Sequence, residues 1–395
     1  MAEESAAARD VRLERLRAEL DAIDARIVEA LADRLRVIGV IAAFKETQPD
    51  SLRDEKREKA LLERLQAKAR DLRLDPHFVE RLFREIIDYS VRRQQDHLMA
   101  RERGPDQPLI VAYAGTNGAW GDLAAQKHFS ARGTGVEFRG YETFRDTMEA
   151  VKSGAAHFGM LPIENSTAGS INENYDLLAQ MDLALVGEEI QKVDNCLMAV
   201  DDVPLDKIRR ILSHPQAIAQ CAGFLATLPH SHVEAYTNTA LAARKVRDDQ
   251  DLSQAAIGSE EAARIWGLKV IARDINDQKE NYTRFVVVGP RHLPCDERIA
   301  CKTSLIFATR HEQGALVACL NVLANRGLNL TKLESRPRPG APWEYVFYVD
   351  FEGNLQHPDT ESALKELTAH VISLKVLGCY PIRTARRPTP AVLES

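Results

Sequence analysis

The sequence lacks several features that would place it in a common functional class. No apolar run is long enough to cross a membrane, and the N-terminus, rich in alanine, glutamate and arginine, is unlike a signal peptide, so we expect a cytoplasmic protein. The six cysteines include no Cys-x-x-Cys pair and are expected to be reduced thiols. The eleven histidines show no His-Glu-x-x-His spacing, so no metal site is expected. The net charge of −6 and the scattered basic residues argue against nucleic acid as a partner.

The length is enough for two or three domains, since the 395 residues are 45% hydrophobic. Residues 101–108 are rich in charge, glycine and proline and are predicted to be a linker after a helical region. Beyond it, short apolar strands alternate with amphipathic helices, which predicts an α/β region with mostly parallel sheets. The predicted strands are 109–114, 158–163, 208–212, 255–258 and 284–288, and the predicted helices are 122–129, 143–152 and 239–246.

A second polar stretch, at residues 291–300, predicts another domain boundary. The remainder follows the order strand, helix, strand, strand, helix, strand, which is typical of a ferredoxin-like α+β domain. The six predicted elements are 303–309, 313–325, 328–335, 344–351, 359–373 and 375–380.

Two cations interrupt the apolar stripe of the first predicted helix. Arg34 occupies the position between Leu31 and Ile38, and Lys45 follows Ile41 by four residues. At about 100° per residue, the two cations lie within roughly 20° of each other on one face. A buried cation without a partner is too costly to keep. The pattern therefore indicates that an anion, either a protein carboxylate or a ligand, completes the site.

Polar residues also continue the stripes of the next two predicted helices. They are Asp54, Arg57 and Glu58 on the second helix and Ser90 and Gln94 on the third. One interpretation is a bundle whose charges pair with each other, for example Arg34 with Glu58. The other is a binding site for an anionic ligand inside the bundle.

Residues 9–100 resemble the all-helical class of chorismate mutases at each of these positions. The resemblance implies the pericyclic rearrangement of chorismate to prephenate, which requires no cofactor. It implies that Arg34 binds one substrate carboxylate and that Arg17 of the partner chain binds another, so a homodimer is expected. Lys45 and Gln94 are expected to donate to the ether oxygen as the catalytic residues. The implied substrate-binding set is Arg17, Arg34, Lys45, Asp54, Arg57, Glu58, Ser90 and Gln94, with Glu58 accepting from the ring hydroxyl.

Three glycines after the predicted strand 109–114 suggest a dinucleotide site at first sight. Gly115, Gly118 and Gly121 precede a helix, but their spacing is Gly-x-x-Gly-x-x-Gly. This spacing lacks the Gly-x-Gly turn that brings the backbone close to a pyrophosphate. A nicotinamide-dependent dehydrogenase acting on prephenate is therefore the weaker alternative for this region.

The middle region instead resembles prephenate dehydratases over residues 109–290. The matching segments are Pro162-Ile163-Glu164-Asn165-Ser166 with Gly169 and Ser170, then Ser213-His214-Pro215-Gln216, Gly258-Ser259 and Asn281-Tyr282-Thr283-Arg284-Phe285. The resemblance implies a two-lobed α/β fold, like that of periplasmic binding proteins, with the substrate in the cleft between the lobes.

The dehydratase resemblance also implies residue roles. Thr283 is expected to be the catalytic proton or hydrogen-bond donor to the leaving hydroxyl, and Arg284 a carboxylate anchor or positioning residue. The remaining expected substrate-binding residues are Asn165, Ser166, Thr167 and Phe285. Gly121 departs from the family pattern, which commonly has a hydroxyl residue near the end of the glycine-rich loop. An alternative is therefore a mutase fused to a catalytically inactive, amino-acid-sensing domain.

The C-terminal region resembles the ACT regulatory modules of the same enzymes. The matching segments are Gly314-Ala315-Leu316-Val317 and Leu333-Glu334-Ser335-Arg336-Pro337. The resemblance implies that phenylalanine binds between two such modules in a dimer, with its carboxylate at a helix N-terminus. The expected effector-binding residues are Gly314, Ala315, Leu316, Glu334, Ser335 and Arg336. A dimerisation module without a ligand is the alternative.

The whole chain thus resembles bifunctional chorismate mutase–prephenate dehydratases of phenylalanine biosynthesis. The expected domains are a helical mutase domain (residues 1–103), a dehydratase domain (109–290) and an ACT regulatory domain (301–381). Chorismate and prephenate are the expected substrates, phenylalanine is the expected feedback inhibitor, and no cofactor or metal is expected.

Overall fold

The computed structural model describes residues 6–45, 55–100, 108–129, 135–293, 295, 299–338, 341 and 344–383. Within the first two ranges, it does not describe the side chains of residues 6–11, 41–45, 55–56, 88 and 91–100. The chain divides into two compact units, Met1–Glu102 and Arg103–Ser395. None of the described helices is long and apolar enough to cross a membrane.

The first unit consists of three helices, α1 (Ala6–Lys45), α2 (Glu55–Asp71) and α3 (Pro76–Ala100). Asp75 caps α3 as the sequence predicts, because its Oδ1 accepts from the backbone N–H of His77 at 2.9 Å and Pro76 follows in the first turn. Both α1 and α2 pack against α3.

Helix α1 leaves most of its apolar stripe uncovered. Leu16, Leu20, Ile23 and Ile27 are each 50–58% exposed, although they repeat at the three- and four-residue steps of a packed helix face. A stripe of this length is costly to expose to water. The described part of the chain does not supply its partner surface.

The first lobe of the second unit contains a six-stranded sheet of order β2-β1-β3-β11-β5, with β4 paired to β3. Its strands are β1 (Leu109–Ala114), β2 (Val136–Tyr141), β3 (Phe158–Asn165), β4 (Gly169–Ser170), β5 (Ala184–Lys192) and β11 (Tyr282–Gly289), and its helices are α4 (Trp120–Phe129), α5 (Phe144–Lys152) and α6 (Asn172–Gln180).

The second lobe lies between β5 and β11 in the sequence and has a sheet of order β10-β6-β9-β7-β8. Its strands are β6 (Cys196–Ala199), β7 (Arg210–Ser213), β8 (His232–Ala235), β9 (Gln254–Gly258) and β10 (Lys269–Ala272). Its helices are α7 (Pro215–Gln220), α8 (Ala222–Ala226), α9 (Thr239–Asp249) and α10 (Glu260–Trp266), together with a 3-10 turn at Leu205–Lys207.

The five strands predicted in this region are present, but the prediction of mostly parallel sheets is wrong. Strand β11 runs antiparallel to both β3 and β5, and β6 runs antiparallel to β9 and β10. The chain crosses between the lobes twice, after β5 and before β11. A strand that returns from the other lobe enters the sheet without the helical crossover that makes neighbouring strands parallel.

The C-terminal module has the predicted order of elements. Strands β12 (Cys301–Thr309), β13 (Asn329–Pro337), β14 (Tyr345–Glu352) and β15 (Val371–Pro381) form an antiparallel sheet of order β13-β14-β12-β15, with helices α11 (Ala315–Asn325) and α12 (Pro358–His370).

The two faces of this sheet pack against different layers. Leu305, Phe307 and Phe351 lie in a core with residues of α11 and α12. Ile306 of β12 and Tyr348 of β14 lie on the opposite face of the sheet and belong instead to the core of the first lobe. The module therefore buries its second sheet face against the lobe that carries β11.

Candidate active sites

In the helical unit, the structure brings together Arg34 of α1 and Ser90 of α3. The Arg34 guanidinium donates to Ser90 Oγ and, at 3.4 Å, to the carbonyl of Ile86. Ser90 is 3% exposed, and partial burial lowers the pKa of Arg34. Because both of these groups are neutral, Arg34 keeps a positive charge that can bind an anion.

The other predicted residues of this unit are placed less completely. Arg17 is exposed and pairs with Glu14 at 2.9 Å. Arg57 and Glu58 lie on the first turns of α2. Lys45 and Gln94 lie on α1 and α3, but their side chains fall outside the described part of the chain, as does all of Asp54.

A cavity of about 330 Å³ opens between the two lobes of the second unit. The first lobe contributes the glycine-rich loop, the end of β3 and the start of β11, and the second lobe contributes the first turns of α7 and α9. Its lining residues include Gly115, Trp120, Gly121, Glu142, Pro162, Asn165, His214, Gln216, Gln220, Asn238, Thr239, Thr283 and Phe285. The prediction that the cleft holds the dehydratase segments is supported by this lining.

Thr283 and Asn165 form the polar centre of the cavity wall. Neighbouring strands place them directly opposite each other, and Asn165 Nδ2 donates to Thr283 Oγ1 at 2.9 Å. Thr283 is 8% exposed and Asn165 is 2% exposed. Because Oγ1 serves as an acceptor here, the hydroxyl proton of Thr283 can be donated to a bound molecule.

Asn165 is itself fixed by the segment that follows it. Its Oδ1 accepts from the Thr167 hydroxyl at 2.7 Å and from the backbone N–H groups of Thr167 and Ala168. Ser166 Oγ accepts from the backbone N–H of Tyr282 at 2.9 Å. Ser166 and Thr167, predicted to bind substrate, therefore hold Asn165 and β11 in register and are absent from the described cavity lining.

Sequence reasoning missed several polar residues of the cavity wall, among them Gln220, Asn238 and Thr239. Gln220 Nε2 donates to Thr167 Oγ1 at 3.1 Å, which links the second lobe to the Asn165 segment. Asn238 caps α9 by accepting from the backbone N–H of Leu241 at 2.7 Å. An asparagine directly before a predicted helix was an available signal for this cap.

The cavity offers helix N-termini, not basic side chains, to an anion. Residues from the starts of three helices lie on its wall, namely Trp120 of α4, Gln216 of α7 and Thr239 of α9. The helix dipole attracts carboxylates at such positions. Among the described lining residues there is no lysine or arginine. Glu142 and His214 are the titratable groups among them.

His214 caps α7 with a ring nitrogen. Its Nδ1 accepts from the backbone N–H of Gln216 at 3.2 Å, which requires that nitrogen to be unprotonated. Burial lowers the pKa of His214 from its ordinary value. The neutral imidazole is therefore favoured at neutral pH, with Nε2 carrying the proton.

Gly121 lies in the first turn of α4 and lines the cavity. A Cβ at this position would meet the carbonyl oxygen of Ala114 at 3.2 Å, which is a tight contact but not a prohibitive one. The absence of a hydroxyl here leaves the backbone of the helix N-terminus as the polar surface that faces the cleft.

Arg284 does not reach the cavity, so its predicted role as a carboxylate anchor is not supported. It lies between Thr283 and Phe285 on β11, and successive side chains of a strand point to opposite faces. Its guanidinium bonds Glu188 at 2.8 Å, Asp350 at 2.6 Å and Tyr380 at 2.9 Å. Two of these partners belong to the C-terminal module.

The groups around Arg284 form a buried network between β11 and the module. Lys302 also bonds Glu188, at 2.8 Å, and Ser304 Oγ donates to Asp350 at 2.5 Å. Burial by itself would lower the pKa of Arg284, but Tyr380, Asp350 and Glu188 outweigh burial and raise the pKa well above its ordinary value. Arg284 and Lys302 thus balance Glu188 and Asp350. Glu164, 3.9 Å from Arg284, pairs in turn with Lys332 at 3.2 Å.

A second, smaller cavity of about 230 Å³ lies at the N-terminus of α11. It is lined by the predicted effector residues Gly314, Ala315 and Leu316, together with Arg310 and Tyr345. Gly314 has φ +80°, in the left-handed region that favours glycine. The glycine therefore shapes the turn that exposes the first N–H groups of the helix.

The other half of the predicted effector site faces elsewhere. Glu334 accepts from Ser170 Oγ at 2.7 Å, and Arg336 pairs with Asp176 at 2.8 Å, so both side chains contact the first lobe. Ser335, between them, is exposed. Within one chain, the structure does not bring Glu334, Ser335 and Arg336 to the cavity at Gly314, and the prediction for Glu334 and Arg336 is not supported in this arrangement.

Comparison with known proteins identifies the matching families by region. A family model described as chorismate mutase type II matches residues 16–95, and one described as prephenate dehydratase matches residues 111–292. The bifunctional chorismate mutase/prephenate dehydratase of Enterobacter agglomerans is 38% identical over 367 residues, which are 93% of this chain and 95% of that protein. The enzyme of the same name from Escherichia coli K12 is 37% identical over 368 residues.

Solved structures resemble the second unit. The prephenate dehydratase of Arthrobacter aurescens in complex with L-Phe has a TM-score of 0.64 and 28% identity, covering 69% of this chain and 90% of that chain. GqqA, described as a novel type of quorum quenching acylase, has a TM-score of 0.64 and 34% identity, covering 70% of this chain and 100% of that chain. These matches favour the dehydratase interpretation of the middle region over the dehydrogenase alternative.

Proposed function

The chain belongs to the family of bifunctional chorismate mutase/prephenate dehydratases, and from this premise we propose how its residues divide the two reactions. Rearrangement of chorismate takes place in a helical domain of residues 1–103, and conversion of prephenate to phenylpyruvate in a domain of residues 109–290. Residues 301–381 form an ACT regulatory domain. The observation that carries the dehydratase assignment is the hydrogen bond from Asn165 to Thr283 in the wall of the interlobe cavity.

For the mutase, we propose a site shared between two chains. Arg34, held by Ser90, binds one substrate carboxylate, and Arg17 of the partner chain binds the other. Lys45 and Gln94 donate to the ether oxygen, while Asp54, Arg57 and Glu58 complete the polar wall. The uncovered apolar stripe of α1 supports a homodimer through this helix, because its burial would remove the largest exposed apolar surface of the unit.

For the dehydratase, we propose that Thr283 donates its hydroxyl proton to the leaving ring hydroxyl. The bond to the departing carboxylate breaks, its electron pair makes the ring aromatic, and the ring hydroxyl leaves as water while CO₂ is released. The first turns of α4, α7 and α9 are well placed to bind the carboxylates, in place of the arginine expected from the sequence. Asn165 orients Thr283 toward the substrate, and solvent restores the hydroxyl proton afterwards.

For regulation, we propose that phenylalanine binds at the N-terminus of α11. The cavity at Gly314 and the helix dipole support this placement of the amino acid's carboxylate, as does the L-Phe complex of the Arthrobacter aurescens dehydratase. A second module would complete the site from its own residues, so the effector site also depends on a dimer.

Six cysteines without a disulfide are consistent with a cytoplasmic enzyme.

Three variants test the division of labour. Thr283→Ala should lower phenylpyruvate formation from prephenate by about 10²- to 10⁴-fold, and Thr283→Ser should retain most of it, because only the first variant removes the donor. Arg34→Ala should lower chorismate consumption by about 10²-fold or more through loss of charged hydrogen bonds. Each variant should spare the other activity. Loss of both activities from either single substitution, in a folded protein, would contradict separate sites.

A further inference from the structure

Three of the six cysteines converge in one place. Cys295 comes from the segment after β11, Cys301 begins β12, and Cys379 lies on the neighbouring strand β15, opposite Thr303. Their Sγ atoms all lie within 4.8 Å of one another, and the residues are 3%, 2% and 7% exposed. The Sγ atoms of Cys295 and Cys301 are 2.9 Å apart, well beyond the roughly 2.05 Å of a disulfide.

The other three cysteines provide a contrast. Cys196, Cys221 and Cys319 are each buried singly, and burial is the largest cause that raises the pKa of each thiol. They behave as small apolar residues. The convergence of three sulfur atoms from three separate segments is therefore a property of one site and not of the cysteines in general.

The three sulfurs are close enough to interact directly, and a polar side chain of the module adds a contact. Cys301 Sγ donates to Cys295 Sγ, and Asn354 Nδ2 donates to Cys301 Sγ at 3.5 Å.

We propose that Cys295, Cys301 and Cys379 form a binding site for a soft metal ion held by sulfur alone. Thiolate ligands select Cu(I) and Zn²⁺ among biological metals. With a metal–sulfur distance of about 2.3 Å, the sulfurs of a tetrahedral or trigonal site lie about 3.8–4.0 Å apart. The cluster fits this size once the Cys295–Cys301 pair separates by about 1 Å.

Proton release accompanies metal binding at such a site. The sulfur ligands must be deprotonated to bind, so binding releases protons from the cluster and is weakened at acid pH.

The position of the site indicates what a bound metal would do. The segment that carries Cys295 connects the catalytic strand β11 to β12 of the C-terminal module. A metal would join this connection to the two neighbouring strands β12 and β15. It would act as a structural link between the module and the catalytic lobe, with no part in either reaction.

Metal titration of the full-length, reduced, metal-free protein tests the proposal. Zn²⁺ and Cu(I) are added in separate arms, and the metal retained after desalting is counted per chain. The expected result is close to one equivalent of at least one of the two ions, with protons released as the ion binds. The arm with the higher retention against a chelator identifies the metal. Retention of neither ion by the wild-type chain would overturn the proposal.

Matched cysteine variants locate the site. Cys301→Ser and Cys379→Ala should lose the retained metal, whereas Cys319→Ser, which is equally buried in the same module but outside the cluster, should keep it. Circular dichroism and phenylpyruvate formation show whether each variant is folded. Equal retention by Cys301→Ser and Cys319→Ser would place the metal elsewhere and refute the assignment. The count of metal retained by the wild-type chain remains decisive if a cluster variant does not fold.

Discussion

Replacing Asp350 by asparagine tests whether the C-terminal module holds the catalytic strand in place. Asp350 Oδ2 bonds the guanidinium of Arg284 at 2.6 Å, and Arg284 is the neighbour of Thr283 on β11. The side chains of Arg284 and Asp350 are only 13% and 10% exposed. The substitution keeps the size and one hydrogen-bond acceptor but removes a carboxylate from a network in which two cations balance two anions.

The expected loss in the free energy of unfolding is that of leaving a buried charge without its partner. Removing one partner of a buried ion pair typically costs about 3–5 kcal/mol, and the retained acceptor places Asp350→Asn at about 3 kcal/mol. At roughly 2–4 °C per kcal/mol for a large domain, the Tm of the second unit should fall by about 6–12 °C. Because Arg284 loses its charged partner in the module and keeps Tyr380 and a neutral acceptor there, Thr283 is held less firmly and the dehydratase kcat should fall, while the mutase rate should not change.

An exposed ion pair at the same interface provides the control. Arg336 and Asp176 also join the module to the first lobe, but their side chains are 27% and 41% exposed. Asp176→Asn should therefore cost at most about 1 kcal/mol and leave the dehydratase kcat unchanged. Thermal unfolding followed by circular dichroism, with phenylpyruvate formation and chorismate consumption measured on the same samples, compares the variants. If Asp350→Asn behaves like Asp176→Asn in both Tm and kcat, the network does not position β11 and the reasoning fails.

Four further predictions concern separate parts of the chain. Gly121→Ser should raise dehydratase kcat/KM above that of Gly121→Ala, because both add the Cβ that meets Ala114 at 3.2 Å but only serine adds a donor; equal rates for the two would rule out a use for the hydroxyl. The lowered pKa of His214 should make its contribution to stability complete above about pH 6.5 and progressively lost as the pH falls below it, so His214→Gln should flatten the dependence of Tm on acid pH. Ile23→Lys should dissociate the homodimer that we propose through α1 and abolish the mutase while sparing the dehydratase, as measured by light scattering and both assays; a dimer that persists in the variant would refute the α1 interface. Gly314→Ala should cost about 1 kcal/mol at φ +80° and weaken phenylalanine binding in calorimetry, and unchanged affinity would move the effector site elsewhere.

Most helices and strands could be predicted because the pattern that indicates each of them lies within its own few residues. Strand β1 coincides with its predicted range, and the six elements of the C-terminal module occur in the predicted order. Strand direction was not predictable in the same way. The apolar pattern of β11 is the same whether it runs parallel or antiparallel to β3, and only the long return from the second lobe decides which.

The prediction of the candidate site succeeded best for residues that the two-lobed fold brings together. Asn165 and Thr283 belong to separate matching segments, and their pairing across β3 and β11 followed from the two-lobed fold. The failure at Arg284 could have been avoided, because Thr283 and Phe285 flank it on one face and place Arg284 on the other. Its partners could not have been predicted, since Asp350 lies 66 residues further along the chain.

The same alternation separates the residues of β13. Lys332, Glu334 and Arg336 bond the first lobe, while Leu333 and Ser335 fall on the other face of the strand. The resemblance predicted a ligand contact for this segment as a whole. Only the packing of the module on the lobe determines which of its residues remain available to a ligand.

The placement of β11 has a consequence for the synthesis of the protein. This strand lies between β3 and β5 in the sheet of the first lobe, yet the ribosome makes it about 90 residues after β5. All the strands of the second lobe, from β6 to β10, are contiguous and can pair before β11 emerges. Until then, β3 and β5 each lack a neighbour, and such open strand edges recruit other chains. A nascent chain halted before Tyr282 would therefore carry a folded second lobe and an aggregation-prone first lobe that lacks Thr283.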